Sequence, residues 1–292
     1  MRFEVKDTCL EHIFECGQCF RWDRNEDGSY SGIAASRPAN IRLEQAPEAA
    51  PFSGGTLIVT GANGKDGIDE GADDGAEEER DFWYDYFDLG RDYGKIKKEL
   101  IRRDGSGVME KAVAYGGGIR ILRQDPWEMT VSFIISQNNN IPRIKKNIRD
   151  LSRAFGEPAG EFEGEMRYAV PSSAVLAGLE EGDLADIRLG YRARYLVETA
   201  RCIEENGMGM VYEDPSCLCG VGPKVASCIR LFGLHQLDSF PIDVWVKRVM
   251  SELYGLDKPA EMAAFARDTF GEYGGIAQQY LFYYMRENSR DL

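Results

Sequence analysis

Leu218-Cys-Gly-Val-Gly-Pro-Lys-Val-Ala-Ser-Cys-Ile229, followed by Phe240-Pro-Ile-Asp-Val-Trp245, is the stretch on which the reading of the chain turns. Gly220 and Gly222 predict a tight turn whose backbone can approach a ligand closely. Pro223 suits the first position of a helix, where a missing N–H costs nothing. Free N–H groups at such a start attract anions, so a phosphate is a candidate ligand. Val225, Ile229 and Phe232 have the i, i+4, i+7 spacing of a core face, and Lys224 lies one residue behind it. A cation at a helix N-terminus, partly withdrawn from water, is expected to lose its proton below the ordinary value of about 10.4. Such an amine is a usable nucleophile. The position equally suits an ordinary surface lysine whose stem runs along the core edge, and the stretch alone leaves both readings open. Asp243 precedes a helical run to Tyr254 and reads as its N-cap. Backbone N–H bonds are expected to hold it ionised, a fixed anion suited to a developing positive charge.

The chain has 292 residues, enough for two modest domains. No apolar run reaches the roughly 18 residues of a membrane span, and residues 1–7 lack the pattern of a signal peptide. The expectation is a cytoplasmic protein of a bacterium or archaeon, placed with the nucleoid and away from membranes. Seven cysteines, an odd number, argue for reduced thiols. Cys16 with Cys19 and Cys217 with Cys219 have spacings that a metal site can use. Their apolar contexts favour small buried side chains instead. No cysteine follows Cys228, which excludes a four-cysteine iron–sulfur loop near the C-terminus. No metal and no cofactor are expected.

A net charge of −14 is awkward for a nucleic-acid partner. Much of it is local. Residues 66–81 hold nine acids and one arginine, a contribution of −8. This Gly/Ala/acid composition predicts a disordered surface loop over about 62–81. In contrast, residues 142–153 carry Arg143, Lys145, Lys146, Arg149 and Arg153 against Asp150. Charge is segregated, and a basic binding face is expected.

The pattern predicts an α+β chain. An N-terminal antiparallel β-rich domain occupies residues 1–105, and an all-helical domain with a hairpin turn at 218–224 occupies 106–292. Strands are expected at 19–22, 30–33 and 56–59. Phe82-Trp-Tyr-Asp-Tyr-Phe87 reads as an aromatic cluster that seals the two domains. Helical character begins near Asp92. Asp125-Pro126 opens a buried helix to Ser136, Asn138-Asn-Asn-Ile-Pro-Arg143 interrupts it, and another helix runs to Phe155. Further helices are expected near 193–205, 223–233, 244–254, 259–270 and 273–286. The asparagine amides can cap helix ends or meet base edges. Gly190-Tyr-Arg-Ala-Arg-Tyr195 interleaves aromatics with cations, which suits base stacking and phosphate contact. It also suits a buried aromatic flanked by solvated arginines.

Seven segments together resemble the 8-oxoguanine DNA glycosylase family of the helix-hairpin-helix superfamily. They are Cys16-Gly-Gln-Cys-Phe-Arg-Trp22, Leu122-Arg-Gln-Asp-Pro126, Ser136-Gln-Asn-Asn-Asn-Ile141, Leu189-Gly-Tyr-Arg-Ala-Arg-Tyr195, Gly220-Val-Gly-Pro-Lys-Val-Ala226, Phe240-Pro-Ile-Asp243 and Ala277-Gln-Gln-Tyr-Leu-Phe282. They span nearly the whole chain in the family's order. The resemblance implies base flipping from double-stranded DNA, with Lys224 as Schiff-base nucleophile and Asp243 stabilising an oxocarbenium-like transition state. It implies that the Gly17 carbonyl accepts the N7 proton that 8-oxoguanine has and guanine lacks. Phe282 and Cys228 would sandwich the base, with Gln278 on its Watson–Crick edge. Asn138 would fill the gap in the duplex. Arg143 and Arg192, with Tyr191 beside them, would read the orphaned cytosine. Gly220, Val221, Gly222 and Trp245 would lie along the DNA backbone. A monomer is expected.

The chain departs from the family in two places. Trp245 stands where animal members have histidine. Only a dozen residues separate Gly207 from Gly220, too few for the family's first hairpin helix. One helical turn is the most this segment can hold, and Val225 and Ile229 are expected to lose cover. A weakly active or non-catalytic lesion-binding protein, and a monofunctional glycosylase for alkylated bases, are the competing readings.

Overall fold

The computed structural model describes residues 1–45, 52–61 and 74–288. Strand β1 (Arg2–Val5) and helix α1 (Leu10–Phe14) precede strands β2 (Trp22–Arg24), β3 (Tyr30–Ala34), β4 (Arg37–Glu44) and β5 (Gly55–Gly61). The five strands form one antiparallel sheet in the order β1-β5-β4-β3-β2. Phe3, Val5, Trp22, Tyr30, Ile41, Leu57 and Val59 build its core with α1 and helix α2 (Asp74–Tyr86).

Helix α2 corrects two expectations. The predicted disordered loop ran to residue 81, but the chain is helical from Asp74; residues 62–73 lie outside the described residues. Glutamate is a good helix former, and Glu78 and Glu79 pair with Arg37 of β4 at 3.6 and 2.8 Å. The aromatic cluster does not act mainly as a seal between domains. Trp83 and Phe87 are fully buried in the sheet's core, and Trp22 Nε1 donates to Tyr86 Oη at 2.8 Å. The 83, 86, 87 spacing is a helix stripe, and the nearest apolar surface is the sheet.

The helical part begins with α3 (Tyr93–Asp104) and α4 (Val108–Gly116), then α5 (Pro126–Ser136) and α6 (Ile141–Phe155). A short hairpin, β6 (Pro158–Phe162) with β7 (Glu165–Tyr168), leads to α7 (Ser173–Ala177) and α8 (Arg192–Asn206). Then come α9 (Gly209–Glu213), α10 (Pro223–Cys228), α11 (Val244–Tyr254), α12 (Pro259–Phe270) and α13 (Gly274–Asn288). Caps set several starts: Asp92 accepts from Lys95 N, Asp125 from Glu128 N and Asn140 from Arg143 N. Among the described residues, no helix is long and apolar enough to cross a membrane.

Between α8 and α10 the chain has one turn of α-helix and a 3-10 turn, Pro215–Cys217. The expected loss of cover does not follow. Val225 is 6% exposed and Ile229 is fully buried, with Val211, Leu218 and Val221 packed into the same core. Polar ties hold the short segment down. Cys219 Sγ donates to Glu198 at 2.6 Å, and Arg230 pairs with Asp214 at 2.7 Å. Gly220 has φ +71°, and a Cβ there would meet the Tyr195 ring at 2.2 Å. Helix α10 then widens into a π turn, Ile229–Gly233, which lies against α5 with Phe133 and Phe232 stacked at 5.3 Å.

Gly220→Ala combines an unfavourable left-handed backbone with overlap against Tyr195. Urea denaturation is expected to show a loss of about 2 kcal/mol or more, partly restored when Tyr195→Ala opens the space.

Candidate active site

A cleft of about 1060 Å³ opens where α1, the end of α5, the start of α6, α10, α11 and α13 meet. Gly17, Asn138, Lys224, Cys228, Asp243, Trp245, Gln278 and Phe282 all line it. These are eight of the fourteen residues singled out in the sequence. They come from four separate stretches of the chain, and the fold brings them together.

Lys224 sits in the first turn of α10 with its Nζ 5.6 Å from the centre of the Phe133 ring, within cation–π range. One turn further, Cys228 is buried. Burial pushes its thiol up; the ammonium of Lys224 opposes that, and Asp243 adds to it. Asp243 caps α11, its Oδ1 accepting from Trp245 N at 3.0 Å and Val246 N at 2.8 Å. The cap bonds do favour the ionised carboxyl, as expected, but burial outweighs them and raises it above the ordinary 3.8, against the Val246 N–H and the charge of Lys224. Two N–H bonds do not replace the water this carboxylate has lost.

The opposite side of the cleft is made by α13 and the turn after α1. Gln278 is buried, its Oε1 accepting from Gln279 Nε2 at 2.8 Å. Gly17 has φ +78°, and a Cβ there would lie 3.6 Å from two carbons of the Phe282 ring. The next residue anchors this turn. Gln18 is fully buried; its Nε2 donates to the carbonyls of Ile13 at 2.9 Å and Arg120 at 2.8 Å, and its Oε1 accepts from Leu122 N.

Six predicted residues lie outside the lining. Asn138, with φ +45°, is tied to one of them through its carbonyl. Arg192 is 6% exposed, not free, and donates to the carbonyls of Gln137, Asn138 and Leu189. A helix start leaves such carbonyls of the neighbouring turn within its reach, and they satisfy a guanidinium that burial would otherwise strand. Tyr191 is exposed, its ring 4.6 Å from the Arg192 guanidinium. Arg143 is exposed, next in sequence to the lining residue Pro142, with one side-chain bond to the Arg188 carbonyl at 3.2 Å. Gly220, Val221 and Gly222 form the turn that leads to α10, with the Val221 side chain buried. The expected basic face is partly used inside the protein: Lys145 bonds the Trp22 carbonyl and Asp23, and Lys146 pairs with Asp150.

Cys16 and Cys19 are buried, and burial pushes the Cys16 thiol up to about 12. Among the described residues, no group of three or more His, Cys, Asp or Glu side chains could hold a metal ion.

Residues 1–130 match the 8-oxoguanine DNA glycosylase N-terminal domain, and residues 131–269 match the HhH-GPD superfamily of base excision DNA repair proteins. The chain belongs to the 8-oxoguanine DNA glycosylase family. Clostridium acetobutylicum 8-oxoguanine glycosylase/lyase, solved with double-stranded DNA containing cytosine opposite 8-oxoG, is 39% identical, with a TM-score of 0.83 over 99% of this chain and 98% of that one. MBOgg1, solved with a low-affinity DNA ligand, is 40% identical at the same TM-score, over 98% of this chain and 94% of that one. A probable N-glycosylase/DNA lyase of Methanothermobacter thermautotrophicus is 36% identical over 59% of this chain and 64% of its own length. The chain thus spans a little under two thirds of that archaeal relative.

Sequence reasoning missed three residues of this family member's cleft. Phe133 was taken only as part of a buried helix. Gln279 follows Gln278 directly, and Arg286 follows Phe282 by one helical turn. The i+4 step from a recognised aromatic to a cation was the available signal.

Asp243→Asn keeps an N-cap side chain and removes a buried charge. Because the folded carboxyl titrates above 3.8, the folded state binds its proton more tightly than the unfolded state. The charge therefore opposes folding above the folded-state value, and this cost is relieved as pH falls through that value towards 3.8. Thermal unfolding at neutral pH is expected to show the variant at least as stable as the wild type. That advantage should vanish below about pH 4.

Proposed function

We propose that this chain excises 8-oxoguanine from double-stranded DNA, acting as a monomeric bifunctional glycosylase and abasic-site lyase. The observation that carries this reading is the convergence of Gly17, Lys224, Cys228, Asp243, Gln278 and Phe282 on one cleft. The flipped base would lie between Phe282 and Cys228, with Gln278 on its Watson–Crick edge. Gln279 holds the Gln278 amide, and the Gln278 oxygen keeps a second lone pair for the base. The Gly17 carbonyl would accept from N7–H of 8-oxoguanine. Guanine presents a lone pair at N7, so acceptor would face acceptor, a mismatch of about 1–3 kcal/mol.

Lys224 Nζ, once it has given up its proton, would attack the deoxyribose C1′ as the bond to the base breaks; the electron pair of that bond leaves with the base, which takes up a proton. Loss of a proton and opening of the sugar give the Schiff base, and β-elimination cuts the strand 3′ to the lesion. Asp243 would face the positive charge that develops on the sugar. In a site poor in water, a fixed carboxylate acts on that charge more strongly than in solvent. Asn138 would fill the vacated space in the duplex, and Trp245 with the Gly220–Val221–Gly222 turn would meet the DNA backbone. The well-packed short hairpin supports the enzyme reading over a lesion-binding remnant.

Preference for cytosine opposite the lesion would rest first on Arg143, which has one carbonyl to release. Arg192 would reach cytosine only by giving up the carbonyls that order the Asn138 turn, with Tyr191 wedged beside it.

Lys224→Gln should abolish the borohydride-trapped adduct on 8-oxoguanine duplex and slow base release by roughly a hundredfold or more. Undiminished release in this variant contradicts the assigned nucleophile, and the absence of an adduct with the wild type would point to a monofunctional enzyme. Excision opposite each of the four bases tests the second claim. Arg143→Ala should narrow the advantage of cytosine by about tenfold.

A further inference from the structure

We infer that Arg286 is a positioning residue that fixes the distance between the two walls of the base slot and thereby sets discrimination between 8-oxoguanine and guanine. The inference rests on the roles proposed above for Gly17 and Phe282. Arg286 lies one turn beyond Phe282 on α13. Its guanidinium carbon is 5.4 Å from the Phe282 ring centre and 5.5 Å from that of Tyr283. Its Nη2 donates to the Glu15 carbonyl at 2.6 Å, two residues before Gly17. The side chain is 17% exposed, with Glu287 at 2.8 Å balancing its charge. One planar group therefore touches the ring that forms one wall and holds the main chain that forms the other.

The turn carrying Gly17 is thus held from both sides. Gln18 fixes it to the 120–122 segment, and Arg286 fixes it to α13. Discrimination against guanine depends on one acceptor meeting one proton, and a hydrogen bond weakens outside a narrow range of distance. If the Gly17 carbonyl moves relative to Phe282, a stacked base no longer reaches it. Arginine suits the task because its flat fork can lie on a ring and donate in its own plane at once, which an ammonium does less well.

The test uses the full chain with single-turnover base release from 8-oxoguanine·cytosine duplex, competition by guanine·cytosine duplex, and cleavage of a preformed abasic site. The abasic substrate needs Lys224 but puts no base in the slot. Arg286→Met is expected to slow 8-oxoguanine release by roughly tenfold or more, with undamaged duplex becoming a better competitor. Abasic-site cleavage should change by no more than about twofold, and Arg286→Lys should recover part of the loss. Wild-type selectivity in Arg286→Met overturns the inference. So does an equal loss on the base-bearing and abasic substrates, which would make Arg286 a support of the fold alone. A wild-type chain inert on 8-oxoguanine overturns the proposed function itself, and that result is distinct from either.

Discussion

The buried amide of Gln18 is the interaction on which the cleft depends. Its two donors and its acceptor are all engaged, and two of the three bonds cross from the α1 turn to the 120–122 segment. Gln124 Nε2 returns a bond to the Gln18 carbonyl, and Arg120 donates to Thr8 and to the carbonyls of Lys6 and Asp88. Each such bond contributes only about 1 kcal/mol net, but a buried polar group left without its partner costs more. A satisfied network of this kind admits one arrangement and penalises its neighbours. That matters because the cleft draws Gly17 from the N-terminal part and Lys224, Asp243 and Phe282 from the helical part. An apolar junction of equal area would tolerate small slips, and a hydrogen-bonded one does not.

The shortened hairpin shows the same economy of packing. A full helix before the Gly220 turn would supply apolar cover for α10 and fix the turn's direction. Here the cover comes from Val211, Leu218 and Val221, and the direction from Tyr195, whose ring fills the place of a side chain at 220. The ties to Glu198 and Arg230 then hold the segment at both ends. The short arm thus leaves the turn packed and its glycine held against Tyr195.

Legibility in the sequence followed the strength of local signals. Asp92, Asp125 and Asp243 announced their helices because a cap acts through residues next to it. Strands β1 and β4 and the β6–β7 hairpin went unread, and the strand expected at 19–22 begins only at Trp22. β6 and β7 are largely exposed, so their apolar alternation is weak, and β4 carries Pro38 and charges that read as a break. Helix α2 was hidden because its acidic face resembles a disordered segment until the sheet offers Trp83 and Phe87 a surface. At the cleft, eight residues singled out by motif proved to line it. The burial of Arg192 was not legible, since nothing in its own neighbourhood says that the carbonyls of Gln137 and Asn138 will surround it. Gln279 and Arg286 touch the neighbours Gln278 and Phe282, and the i+4 step from Phe282 to a cation was the one local mark of the second contact.

Asp243 joins a helix cap and a buried carboxyl in one residue. Its cap bonds determine where the carboxylate is, and its burial determines how strongly it attracts a nearby cation. A carboxylate in water near Lys224 would be screened and free to turn away. One fastened to the first N–H groups of α11 can do neither, and the loss of water that raises its proton affinity is also what strengthens its attraction for a cation. The helix start is thus not incidental to the site. A loop could bring an aspartate equally close, but it would give the carboxylate freedom to relax towards solvent, and the electrostatic advantage would go with it. Lys224 at the start of α10 and Asp243 at the start of α11 are therefore held by the same device, two helix N-termini turned toward one cleft.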